Sequence, residues 1–121
     1  MKQNGFTLME LLITLVIIGV LVVIAIPTYQ SYMHDAARKR AELNLETAAQ
    51  HLEQTHMTEH VYPENFTVPV EDEYYIYQYD KKNHGFLLKA KPKLYADDCG
   101  ILSLDSSGAK SASNGSEEHC W

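Results

Sequence analysis

Residues 5–33 read GFTLMELLITLVIIGVLVVIAIPTYQSYM, and the reading of this stretch decides the fold of the chain. From Leu11 to Met33 no side chain carries a formal charge, and Leu15 to Ile26 is apolar apart from Gly19. Such a run is long enough to cross the roughly 30 Å of a bilayer's hydrocarbon as a helix, so lipid or protein must cover it. A cleaved secretory signal has a basic head, a shorter apolar run and a small-x-small site behind it. Here the head is Met1-Lys2-Gln3-Asn4-Gly5, Glu10 intrudes at the front, and Ala25-Ile26-Pro27-Thr28-Tyr29 stands where the cleavage site would be. A plain transmembrane anchor accounts for the hydrophobicity equally well. It leaves Glu10 unexplained, because a carboxylate in hydrocarbon costs about 2.5–3.5 kcal/mol on insertion scales. Pro27 removes an N–H donor and crowds the preceding turn, which predicts a helix kink there. Gly19 also weakens the helix, although close helix packing explains it as well.

The chain has 121 residues, which leaves room for one small domain beside this segment. A domain below about 100 residues buries too little surface to be robust alone, so a staple or partner is expected. Lys and Arg number 10 against 16 Asp and Glu, a net charge of −6 with no long run of either sign. That balance argues against a general phosphate-binding surface and makes nucleic acid an unexpected partner. Cys99 and Cys120 show neither redox nor zinc spacing. One disulfide in an oxidising compartment is the simplest account, worth roughly 3 kcal/mol in the chain-entropy treatment; two buried thiols in a cytosolic protein is the alternative.

Beyond the apolar run, Ala37, Ala41, Leu45, Ala48 and Leu52 recur at helical steps, predicting an amphipathic helix over 34–57. Only Pro27 interrupts the two segments, so one helix of about 50 residues is expected. Arg38, Lys39, Glu42, Glu46 and Glu53 lie on its other face, read as solvated or facing another subunit. Pro63 and Pro69 stop the helix. Then the period becomes two: Tyr74 to Tyr79 reads as a strand, Asp80 to Gly85 as a turn, Phe86 to Ala90 as the returning strand and Cys99 to Leu104 as a third. The fold class expected is α+β, a long N-terminal helix packed on a small antiparallel meander of four or so strands with a C-terminal disulfide loop, and Phe86, Leu88, Ile76 and Leu45 in the core. Tyr74, Tyr75, Tyr77, Tyr79 and Tyr95 are read as packing plus a contact surface.

Gly5-Phe6-Thr7-Leu8-Met9-Glu10-Leu11-Leu12, the apolar helix, then Ile26-Pro27 and Tyr29 together resemble the class III signal of type IV pilins and type II secretion pseudopilins. The likeness implies a leader at 1–5, a transmembrane and filament-core helix at 6–33 and a head domain at 34–121. It implies that a prepilin peptidase cuts after Gly5 and methylates the new amino terminus of Phe6. In that family the carboxylate matching Glu10 meets the terminal amine of a neighbouring subunit, so that assembly compensates two costly charges at once. The stretch around Gly19 and Pro27 can lose helicity in such filaments. A looser likeness of Cys99-Gly100-Ile101-Leu102-Ser103-Leu104-Asp105, Gly108 and Cys120-Trp121 to a disulfide-bounded minor-pilin group favours a minor pilin over a pseudopilin. Arg38, Lys39 and Arg40 beyond the apolar run depart from the positive-inside bias, which Lys2 alone supports.

Other chemistry is set aside. His56 and His60, with Glu53, have helical spacing for a metal, yet no HExxH occurs and surface histidines explain them better. Asp97, Asp98 and Asp105 match no EF-hand and read as a solvated acidic loop. No nucleophile elbow or phosphate loop appears, so neither catalysis, metal nor cofactor is expected. Asn65-Phe66-Thr67 and Asn114-Gly115-Ser116 match a glycosylation sequon. The expectation is a structural minor subunit of a type IV pilus, held in the inner membrane by one span with a periplasmic head, then extracellular. Its implied partners are other pilins, the prepilin peptidase and the inner-membrane assembly platform. A secretion pseudopilin, and a pilus adhesin or DNA-uptake receptor, are the alternatives.

Overall fold

The computed structural model describes residues 4–93 and 97–121. Its first element, α1, runs unbroken from Leu8–Glu59, 52 residues with Pro27 inside. The length follows from composition: no glycine but Gly19 and no proline but Pro27 falls within it. It ends at His60, whose φ of 61° is left-handed and whose N–H donates to the His56 carbonyl at 2.7 Å. Two compact units divide the chain, Met1–Asp35 and Ala36–Trp121.

In the second unit four antiparallel strands follow, β1 (Tyr75–Lys82), β2 (Gly85–Pro92), β3 (Leu102–Asp105) and β4 (Lys110–Ala112), in sheet order β1-β2-β3-β4. A short α2, Glu117–Cys120, closes the chain behind its N-cap Ser116. Small residues on one stripe of α1, Ala37, Ala41 and Ala48, let the sheet approach closely, while Leu45 and Leu52 fill the space between them. The sheet answers with Tyr75, Phe86, Leu88, Ala90, Leu102 and Leu104, all buried.

Two sequence expectations are corrected by this register. Tyr75 pairs with Pro92 and Tyr77 with Ala90, which turns Tyr75, Tyr77 and Tyr79 toward the helix. Ile76 therefore faces outward and is 47% exposed, not part of the core. The hairpin turn is also tighter than expected: Asp80 to Lys82 belong to β1, and Asn83-His84 alone make the turn. β3 begins at Leu102 rather than Cys99, and β4 and α2 had no distinct signal in the sequence. Tyr95 lies outside the described residues.

The β3–β4 turn is built by Asp105, whose Oδ1 accepts from the N–H of Ser107 at 2.9 Å and of Ala109 at 3.0 Å. Its carboxyl is held below the usual range, first by the Ser107 hydroxyl and then by these backbone donors. Gly100, at φ 66°, suits a backbone conformation that other residues rarely adopt, and a Cβ there would lie 2.2 Å from Ser113 Oγ, so that hydroxyl would have to turn away.

Candidate processing and assembly site

Asn4 to Thr7 precede the helix in irregular, exposed backbone. A Cβ at Gly5 would meet nothing within 4 Å, and Phe6 is 90% exposed. The Gly5–Phe6 peptide thus lies outside the helix and open to a protein that must grip it on both sides. Immediately after it, Thr7 Oγ1 accepts from the Glu10 N–H and Glu10 Oε2 accepts from the Thr7 N–H, both at 3.1 Å. This reciprocal pair is a capping box: it satisfies two of the N–H groups that a helix start leaves open, and it places a carboxylate at the positive end of the helix dipole. The Thr-x-x-Glu spacing ahead of an apolar run is the sequence signal for it, and the reading of Glu10 from charge alone passed over it.

The apolar run from Leu11 to Ile26 is exposed throughout within its unit, and α1 is long and apolar enough to cross a membrane. Its one hydroxyl group, on Thr14, donates back to the carbonyl of Glu10 (2.8 Å), and that of Thr28, just beyond the run, to the carbonyl of Ile24 (2.9 Å). No side-chain donor in the run is left to seek water. A Cβ at Gly19 would touch nothing within 4 Å, so no contact among the described residues demands glycine there. The helical run continues through Pro27.

In the head, the charged face expected to be solvated or to face another subunit is partly buried within this chain. Arg38 (9% exposed) bonds Asp97 (8%) at 3.1 and 3.3 Å, and the Tyr75 hydroxyl joins the same carboxylate at 3.3 Å. Asp97 is therefore an internal counter-ion rather than part of a solvated loop, while Asp98 is exposed as expected. Glu42 is also buried; burial pushes its carboxyl above the usual range against the pull of Lys39 at 3.2 Å, and its Oε1 has no hydrogen-bond partner among the described residues. Lys39 Nζ also donates to the Trp121 carbonyl at 3.1 Å. Lys110 pairs with Glu46 at 2.9 Å and stands 5.3 Å from the centre of the Trp121 ring. A second hub joins α1 to the sheet: Asp72 accepts from the Tyr74 N–H and the Tyr77 hydroxyl, each at 2.8 Å, and Asn44 donates to Tyr77. Burial pushes the Tyr77 phenol strongly up, and Asp72 adds to it.

Cys99 and Cys120 form a disulfide, both sulfurs fully buried, 21 positions apart. The closed loop contains β3, β4 and α2, so the bond holds half of the sheet's strands and the C-terminal helix in one ring. His56 stacks on Tyr62 at 4.4 Å, and the Tyr62 hydroxyl donates to Glu53 at 2.8 Å. Among the described residues no group of three or more His, Cys, Asp or Glu is placed to hold a metal ion.

Residues 1–26 match the family model described as the prokaryotic N-terminal methylation motif. Residues 27–103 match the one described as type IV minor pilin ComP, DNA uptake sequence receptor. The chain is 36% identical over 63 residues to the type IV major pilin protein PilE1 of Neisseria gonorrhoeae, covering 52% of this chain and 29% of that protein. It is 54% identical over 39 residues to fimbrial protein EcpB of Eikenella corrodens, covering 32% and 24%. The matches thus span less than a third of either relative. Among solved structures, a type IV pilin from Shewanella oneidensis aligns with TM-score 0.63 and 32% identity, over 73% of this chain and 97% of that one.

Proposed function

Because the chain belongs to the type IV pilin family, we propose that it is a minor subunit of a type IV pilus, acting by assembly rather than catalysis. The observation that carries this reading is the pairing of an open Gly5–Phe6 peptide with an exposed apolar helix that begins three residues later with a capped carboxylate. On this reading a prepilin peptidase removes residues 1–5 and methylates Phe6, and the helix anchors the subunit in the inner membrane with its head in the periplasm. Glu10 then meets the amine of a neighbouring Phe6 as the subunit leaves lipid for the filament. Its partners are other pilins and the membrane assembly platform, and its role is to prime or modulate growth. Gly19 and Pro27 are where the helix yields within the filament, since Pro27 removes a backbone N–H donor and Gly19 gives up more conformational freedom in a helix than any other residue.

The test is the mass of the mature protein, with immunogold labelling of surface filaments. Gly5→Ser is expected to leave an uncut precursor in the membrane; a methylated Phe6 terminus in that variant counts against the assignment. A second reading, a DNA-uptake receptor within the pilus, is favoured by one feature that net charge conceals. Lys81, Lys82, Lys89, Lys91 and Lys93 all lie on or just after the β1–β2 hairpin, with Asp80 the one acid among them. Three are engaged at home, Lys81 by Glu64, Lys89 by Asp80 and Lys93 by the Asp72 carbonyl, while Lys82 and Lys91 are exposed. Salt-dependent retention of DNA on filters by the protein, lost on Lys82→Glu and Lys91→Glu, would support it.

A further inference from the structure

We propose that Tyr29 and Tyr32 form an interfacial girdle, docking the helix at the boundary between acyl chains and headgroups of the leaflet on the head side, and so fixing the depth of Glu10. The proposal rests on the membrane-anchored reading above and adds a position to it. The two rings are 65% and 72% exposed and lie three residues apart, hence on one side of the helix. With Leu21, Ile24, Ala25 and Thr28 they frame a shallow apolar notch on the helix surface. Tyrosine suits a place that is apolar at one end and wet at the other, and such residues are enriched where membrane-spanning helices leave the hydrocarbon.

Length selects lipid as the occupant. At about 1.5 Å per residue, the helix separates Glu10 from Tyr29 by roughly 28 Å, close to the thickness of a bilayer's hydrocarbon layer. Between those two residues no side chain is charged, and Thr14 and Thr28 spend their hydroxyl donors on the helix's own carbonyls. Beyond the tyrosines the sequence turns polar at once, with His34 and Asp35. A girdle at one boundary therefore places Glu10 at the other rather than in mid-bilayer, where a carboxylate is most costly. The Gly5–Phe6 peptide then emerges from the hydrocarbon on the far side, within reach of a protein that cuts there.

The test uses the full chain in phosphatidylcholine vesicles whose lipids are brominated either near the headgroup or near the chain end. Tyr29→Trp and Leu21→Trp report depth by fluorescence quenching, with the signal of Trp121 subtracted from the unsubstituted protein. The Tyr29→Trp chain is expected to be quenched at least two-fold more by the shallow bromines, and the Leu21→Trp chain by the deep ones. Adding Tyr29→Leu and Tyr32→Leu to Leu21→Trp is expected to erase that depth preference. Deep quenching of the Tyr29→Trp chain, or an unchanged profile after both tyrosines are removed, overturns the girdle while leaving the membrane anchor standing. Absence of quenching by either lipid overturns both.

Discussion

At Glu10 a single carboxylate answers a local demand and a collective one. Locally it completes the cap with Thr7, and a cap of this kind is worth about 0.5–2 kcal/mol to a helix start. Collectively it carries the charge proposed to meet a neighbour's amine. The two demands separate chemically, because glutamine keeps the capping geometry and loses the charge. Glu10→Ala and Glu10→Gln are both expected to be processed normally, and both to be depleted from sheared filaments on immunoblots. Wild-type incorporation of Glu10→Gln would show that the cap alone matters. Glu42 makes the opposite case, a carboxyl whose burial outweighs its lysine. A carboxyl raised in the folded state contributes stability that is complete below its ordinary value of 4.5 and is lost as pH rises through the raised value. Glu42→Gln is therefore expected to melt no lower than wild type at pH 7 in detergent, and to gain less than wild type does on acidification toward pH 4.5. A lower melting temperature for the variant at pH 7 would mean that the Lys39 pair dominates instead.

The elements differ in how openly the sequence declared them. α1 was legible because its evidence is periodic and redundant: each of Ala37, Ala41, Leu45, Ala48 and Leu52 points to the same stripe, and all are buried. The phase of β1 was not, because Tyr75, Tyr77 and Tyr79 alternate with Ile76 and Gln78, and hydrophobicity ranks isoleucine above tyrosine. The fold chooses the tyrosines because their hydroxyls find partners inside, at Asp97, Asp72 with Asn44, and the Pro63 carbonyl. Burial of Arg38 was hidden for a related reason: its counter-ion lies 59 positions away, and no local pattern announces such a pair. Losing one member of a buried pair strands the other charge, at a cost of about 3–5 kcal/mol. Asp97→Ala is thus expected to destabilise the head by roughly that amount in urea titrations, far beyond the effect of Asp98→Ala next door. Equal effects of the two substitutions would contradict the internal role of Asp97.

Across the whole molecule, two kinds of stabilisation are assigned to different lengths of chain. Among the described residues up to Asp35 none is buried, so this unit depends on what surrounds it, whereas the unit from Ala36 carries its own core and its own covalent staple. The N-terminal assignment was available from a contiguous motif, but the reach of the staple was not, since two cysteines alone do not say what their loop contains. That loop holds β3, β4 and α2, short elements of four residues or fewer that make little core of their own. Constraining a loop of this size removes unfolded-state freedom worth roughly 3 kcal/mol. Replacing both cysteines by serine is expected to lower head stability by about that amount, and to raise amide exchange in β3 and β4 more than in β1, β2 or the helix stripe. Partitioning of the chain into membranes should be unchanged, because the apolar helix inserts by its own composition. If the double variant instead left the membrane fraction, or exchanged evenly over the whole head, the division of labour between anchor and staple would be wrong.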